Sequence, residues 1–207
     1  PTGTAIPPDE LARIHAWCAA KGIALIVDEI YLALTHDGTE HSAARWDDVF
    51  VINSFSKYFL MTGWRLGWLL APAWAMDDLE RLAQNLFLAA PTPAQHAALA
   101  AFAPATLDEL DSRKAELRQR RDFLLPALRE RGFTIPTRPQ GAFYLYADCS
   151  AHADDSFRFA QALLDQAGIA VTPGLDFGRP QAQHYLRVAY TQPLPRLVQA
   201  MARLDMF

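Results

Sequence analysis

Ile23-Ala24-Leu25-Ile26-Val27-Asp28-Glu29-Ile30-Tyr31 holds an unbroken apolar run that stops at two acids. A short run of this kind, without two-residue alternation, suits a buried strand rather than one with a solvated face. Upstream, Pro7-Pro8-Asp9-Glu10 opens a helix. Proline is tolerated in the first turn, where its missing N–H has no partner to lose, and acids there complement the helix dipole. Lys21-Gly22 closes that helix. Downstream, residues 49–52 and 66–71 form two more apolar runs, the last nearly continuous, as in parallel strands covered on both faces. Helix and buried strand alternate, so residues 7–71 predict an α/β fold.

Beyond residue 71 the pattern predicts helices over 73–88 and 93–102, then a long charged segment over 108–131 in which Pro126 should kink or restart the helix. Arg113, Lys114, Arg118, Arg120 and Arg121 alternate there with Glu109, Asp111, Glu116 and Asp122, which describes a solvated helix face. After Gly132 the order changes to a strand over 143–147, a helix over 155–167, a short strand over 169–171, a strand over 185–190 and a helix over 193–206. Residues 1–112 and 113–207 are therefore expected to form two domains, the second a small α+β unit, with the boundary inside the long helix.

Composition narrows the function classes. The 207 residues carry a net charge of −4 and a pI near 5.8, which give no field favouring nucleic acid or an acidic membrane surface. Only Cys18 and Cys149 are present, without CxxC spacing, so neither a disulfide scaffold nor a thiolate metal site is expected and a reducing cytoplasm fits best. No segment approaches the ~20 apolar residues that span a bilayer. The chain opens at Pro1 rather than Met, which is read as a missing upstream segment.

Reactive side chains gather at strand ends, where open α/β sheets bind ligands. Asp28 and Tyr31 follow the first strand, and Asn53-Ser54-Phe55-Ser56-Lys57 closes the second. Met61-Thr62-Gly63-Trp64-Arg65-Leu66-Gly67-Trp68 then sets an arginine between glycines, which let backbone approach a ligand closely. Serine, lysine, arginine and an aspartate from the adjacent strand suit an anionic cofactor with an aromatic nitrogen.

In this order and spacing the motifs resemble the fold-type I pyridoxal-phosphate (PLP) enzymes of the class I/II, aspartate-aminotransferase-like group. Pro1-Thr2-Gly3-Thr4 is similar to the family's NPTGT, Asp28-Glu29-Ile30-Tyr31 to D-x-x-Y, Ser54-Phe55-Ser56-Lys57 to S-x-S-K, and Gly63-Trp64-Arg65-Leu66-Gly67 to G-x-R-x-G. Gly141-Ala142-Phe143-Tyr144, Thr172-Pro173-Gly174 and Leu186-Arg187-Val188 match signatures of the small domain. The resemblance implies a mostly parallel large-domain sheet with helices on both faces, bound pyridoxal 5'-phosphate, and a homodimer. It makes Lys57 the Schiff-base lysine and proton carrier, Asp28 the partner of the pyridine nitrogen, and Tyr31 a donor to the ring's phenolic oxygen. Ser54 and Arg65 would hold the phosphate, and Arg187 would fork onto the substrate carboxylate, a planar anion that lysine cannot match. Ser56 receives no role.

The same resemblance marks departures. The Asn that precedes Pro1 in the family is absent, as are the phosphate loop and the ring-stacking aromatic, so residues 1–207 alone are expected to show little transaminase activity. In aspartate-specific relatives a partner-subunit arginine near this region receives the distal carboxylate, whereas residues 82–112 contain no Lys or Arg, which points to apolar or aromatic donors around Leu86, Phe87 and Leu88. The substrates implied are an amino acid and a 2-oxo acid, exchanged by an aminotransferase. A PLP-dependent lyase, a ligand-sensing domain of a transcription regulator, and a cofactor-free remnant are the alternatives. No metal site is expected: His36-Asp37-Gly38-Thr39-Glu40-His41 reads as a polar loop, and His15, His96, His152 and His184 are scattered. Trp17, Trp46, Trp64, Trp68 and Trp74 read as packing residues.

Overall fold

The computed structural model describes residues 1–36 and 41–207. The chain forms two compact units, one of Ala5–Lys114 and one of Ala115–Phe207 together with Pro1–Thr4.

In the first unit, helix α1 (Pro8–Ala20) leads through Gly22, at φ +65°, into β1 (Leu25–Asp28). Strands β2 (Val49–Ser54) and β3 (Gly67–Leu70) complete a sheet ordered β1-β2-β3. Strands β1 and β2 are parallel, with Asp28 opposite Ile52. Strand β3 corrects the parallel expectation, because it runs antiparallel to β2 with Ser54 opposite Gly67. Residues 55–66 hold only a 3₁₀ turn, Thr62–Trp64, and no crossover helix, so the chain reverses instead of crossing over.

One face of this sheet packs: Leu25, Val27, Val49 and Val51 meet Leu11 of α1, Ala43 and Trp46. The register puts Ile26, Ile52 and Leu69 on the other face, where they remain 62%, 43% and 43% exposed. Helices on both faces are therefore not found within this unit: among its described residues, no helix covers that second side. Helices α2 (Met76–Leu86) and α3 (Thr92–Ala101) follow. The small side chains Ala98 and Ala101 of α3 let it lie close to Phe55 and Met61, with Phe59, Leu66 and Trp68 around them. By contrast α2 and the residues after it leave Leu82, Leu86, Phe87 and Leu88 exposed.

Helix α4 (Pro104–Glu130) contains Pro126 without restarting there. Proline in a helix interior costs ~3 kcal/mol. Leu124, Leu125, Ala127 and Leu128 around it are all buried, and burying even one such leucine is worth ~2–5 kcal/mol by the cost of truncating it. Packing wins.

The second unit places β4 (Tyr144–Asp148), β5 (Thr172–Pro173) and β6 (Tyr185–Ala189) in an antiparallel sheet ordered β4-β6-β5. Helix α5 (Ser156–Ala167) starts where Asp155 Oδ1 accepts from the N–H groups of Phe157 and Arg158, and ends at Gly168, at φ +63°. Its last turn closes when Ile169 N–H donates to Leu163 O, which draws Ile169 toward the core and moves the short strand from the expected 169–171 to Thr172–Pro173. With α6 (Leu194–Leu204), these elements enclose Leu145, Ala147, Phe159, Leu163, Leu186, Leu197 and Met201. Residues alternate along β4 and β6, so Leu145, Ala147, Leu186 and Val188 face this core while Tyr144, Tyr146, Tyr185 and Arg187 lie on the opposite face.

Pro1–Thr4 joins this unit through Gly3, whose carbonyl accepts from Gln140 and Gly141 N–H at 2.8 and 3.0 Å. Gly3 sits at φ +68°, and a Cβ there would stand 2.7 Å from Pro139 Cβ. The fully buried Arg121 supports the same loop from behind, donating to Pro139 O at 2.7 Å. Burial opposes ionisation of its neighbour Asp122, yet hydrogen bonds from Arg121 and Arg138 hold that carboxyl below its ordinary range. No helix among the described residues is long and apolar enough to cross a membrane.

Candidate active site

Asp28 ends β1, and its Oδ1 accepts from Ile30 N–H at 3.0 Å, turning the chain as the strand stops. Glu29, to which sequence reasoning assigns no role, is buried and accepts from Ala43 N–H at 2.6 Å and Ser42 Oγ–H at 2.8 Å. A buried carboxylate left without donors is strongly disfavoured, so this pair of contacts ties the turn carrying Asp28 and Tyr31 to residues 42–43. Tyr31 stands just before the 3₁₀ turn Leu32–Leu34.

The end of β2 is tightened by a set of local bonds. Ser54 Oγ accepts from Ser56 N–H at 3.0 Å and donates to Leu66 O at 3.2 Å, while Thr62 Oγ1 donates to Ser56 O at 2.7 Å. Phe55 N–H also donates to Leu66 O, and Met61 N–H to Phe55 O. Lys57 thus sits in a braced loop just past the carboxyl end of a strand. Its neighbour Tyr58 donates to Asp111 of α4 at 2.8 Å, a second brace that sequence spacing alone conceals. Lys57 Nζ lies 5.6 Å from the centroid of the Tyr31 ring, so the structure brings together an amine and a phenol from adjacent strands.

Arg65 follows the Thr62–Trp64 turn in the left-handed region, at φ 53° and ψ 50°, with Nη1 donating to Thr62 O at 2.9 Å. Such backbone is unfavourable for a residue with a Cβ. Gly67 beyond it has no room for a side chain, since a Cβ would meet Asn53 O at 2.8 Å and press on the end of β2 that carries Ser54.

Arg187 belongs to the second unit and is described there by itself. It lies in β6 opposite Tyr146 of β4 and Thr172 of β5. Its Cζ is 4.3 Å from the Tyr144 ring and 4.5 Å from the Phe177 ring, and Nη2 approaches Thr172 Oγ1 at 3.4 Å. Nε is buried with no hydrogen-bond partner among the described residues. On the same face Tyr146 stacks on Tyr185 at 4.7 Å, and burial, together with Tyr185, raises the Tyr146 phenol above its ordinary range.

Other candidates resolve into packing or surface. His15 stacks on Trp46 at 4.3 Å and meets Asp48 at 2.7 Å, and His152 stacks on Phe159. Residues 37–40 of the His36–His41 loop lie outside the described residues, and among the described ones no three His, Cys, Asp or Glu side chains are grouped to hold a metal. The tryptophan expectation needs correction. Trp46 and Trp68 pack, but Trp17, Trp64 and Trp74 are 58%, 48% and 73% exposed, because the faces they occupy are uncovered within their unit.

The donor set suits PLP: an amine for its aldehyde, a carboxylate for its ring nitrogen, a phenol for its ring oxygen, and a hydroxyl with a guanidinium for its phosphate. The chain belongs to the aminotransferase class I and II family, whose model matches residues 1–204. It is 39% identical over 207 residues to valine–pyruvate aminotransferase of Mycobacterium tuberculosis, covering 99% of this chain and 53% of that protein. Among solved structures, an aminotransferase from Mycobacterium tuberculosis matches with a TM-score of 0.94 at 38% identity, over 100% of this chain and 54% of the other. A double mutant of Thermus thermophilus aspartate aminotransferase matches with a TM-score of 0.91 at 32% identity, again over 100% and 54%. The chain thus spans about half the length of the relatives it matches.

Proposed function

We propose that the protein is a PLP-dependent aminotransferase that moves an amino group between an amino acid and a 2-oxo acid. The observation that carries this reading is the lysine amine beside the Tyr31 phenol at the strand ends of a chain that matches the family from residue 1 to 204. In this reading Ala5–Lys114 is part of the cofactor-binding large domain, and the second unit is the small carboxyl-terminal domain. PLP, when bound, supplies an electron sink for the charge left on the substrate α-carbon. Lys57 would hold the cofactor through its amine and, once freed by the substrate, would carry the proton that leaves the substrate α-carbon. Asp28 would pair with the ring nitrogen and favour its protonated form, and Tyr31 would donate to the ring oxygen. Ser54, whose hydroxyl donates to Leu66 O, and Arg65 would hold the phosphate, the guanidinium by charge-assisted bonds. Arg187 binds the substrate carboxylate. The relatives named above are transaminases, which favours transfer over the lyase and ligand-sensing alternatives.

The exposed apolar residues of α2 and its exit, Leu82, Leu86, Phe87 and Leu88, support a homodimer. Cys18 and Cys149 are free and buried, which suits a reducing cytoplasm. Borohydride reduction of the holoenzyme followed by peptide mapping is expected to place the pyridoxyl adduct on Lys57. A label on Lys21 or Lys114 instead would overturn the reading.

The amino donor is expected to be apolar. Residues 82–112 contain no Lys or Arg, and the Mycobacterium tuberculosis relative is named for valine. A second carboxylate left unpaired in such a site costs enough to separate kcat/KM for valine and aspartate by ~100-fold. Steady-state kinetics with both donors measures this, and equal values would refute it.

A further inference from the structure

We propose that Phe177 and Tyr144 are positioning residues for Arg187, holding its guanidinium so that its N–H groups stay available to the carboxylates of both amino donor and oxo-acid acceptor. The inference rests on the reading of Arg187 as the carboxylate-binding residue. It starts from what does not hold this arginine. No acid pairs with Arg187 among the described residues, its Nε has no partner, and its contact to Thr172 Oγ1 is long at 3.4 Å. A long, flexible side chain with so few bonds has many rotamers available. Yet two rings stand at cation–π distance from its Cζ, 4.3 and 4.5 Å away. Rings attract a cation through their faces and use none of its in-plane donors. An acid in the same place would hold the arginine equally well and then compete with the substrate.

The sequence builds this arrangement from distant pieces. Tyr144 comes from the Gly141-Ala142-Phe143-Tyr144 motif, on the face of β4 opposite the core. Phe177 is set by the Thr172-Pro173-Gly174 motif: its N–H donates to Gly174 O at 2.9 Å, closing the 3₁₀ turn Gly174–Asp176. Gly174 is buried where a Cβ would lie 2.9 Å from Tyr185 O and 3.0 Å from the Tyr146 hydroxyl, so the turn has one tight seat. Tyr146 then meets Phe177 edge-on at 6.2 Å.

In a ping-pong exchange both substrates use the same carboxylate site, which makes the effect of a lost ring symmetrical. In the holoenzyme, Phe177→Leu is expected to raise KM for the amino donor and for the oxo acid by a similar factor, roughly tenfold, with kcat changed by less than about twofold. Calorimetric binding of 3-methylbutanoate, a monocarboxylate without an amino group, should weaken in parallel. Phe177→Tyr should restore both, and Tyr144→Leu should repeat the effect, which keeps the test available if Phe177→Leu does not fold. Arg187→Lys separates the two claims. If it leaves both KM values and the monocarboxylate affinity unchanged, the carboxylate reading fails. If it raises them while Phe177→Leu and Tyr144→Leu only lower the melting temperature, Arg187 binds the carboxylate and the positioning inference is wrong.

Discussion

Lys57→Ala is expected to lower kcat of the holoenzyme by on the order of 10⁴-fold, the upper range for loss of a positioned proton carrier. In the proposed mechanism the one amine both bonds the cofactor and shuttles the α-proton, so alanine removes two functions at once. The fold should hardly notice. The loop is braced by backbone and hydroxyl groups of Ser54, Ser56, Thr62 and Leu66 and by Tyr58 on Asp111, none of which uses the Lys57 side chain. Lys57→Arg should lose as much activity, because a guanidinium stays charged at any working pH and cannot act as the neutral base. Single-turnover kinetics on both variants, beside thermal melts, measures this. A rate within tenfold of the parent enzyme would remove Lys57 from the chemistry.

Asp28→Asn should lower kcat by roughly 10²–10³-fold, the loss typical of removing one preorganised electrostatic contact, while the melting temperature stays nearly constant. The separation follows from geometry. Asn retains a side-chain oxygen where Asp28 Oδ1 accepts from Ile30 N–H, so the turn after β1 survives. The amide carries no negative charge, so it loses the ability to keep a ring nitrogen protonated. Unchanged kinetics with a lowered melting temperature would make Asp28 a turn former and nothing more.

Much of this was legible in the order of residues. Apolar runs before Asp28 and Asn53 marked the two parallel strands, and the helix expected over 155–167 is α5, because short-range patterning sets both. The direction of β3 was not legible, since an unbroken apolar run records burial and not orientation. Glu29 escaped notice because its partners lie at Ser42 and Ala43, and only folding reveals that its carboxylate is inside. The rings around Arg187 come from residues 144 and 177, separated from it by turns that sequence motifs suggest but do not aim. The exposed tryptophans failed expectation for a different reason: apolarity predicts that a side chain will be covered, but not by which element.

Arg65 occupies a left-handed backbone that disfavours any side chain by ~1–2 kcal/mol relative to glycine. A drift to glycine would relax the turn and, in the proposed site, erase a phosphate ligand at the same stroke. Selection for folding stability and selection for cofactor retention therefore pull this codon in opposite directions. Libraries screened only for heat resistance would be drawn toward the change that empties the site, so a screen at this position has to score cofactor and melting point together.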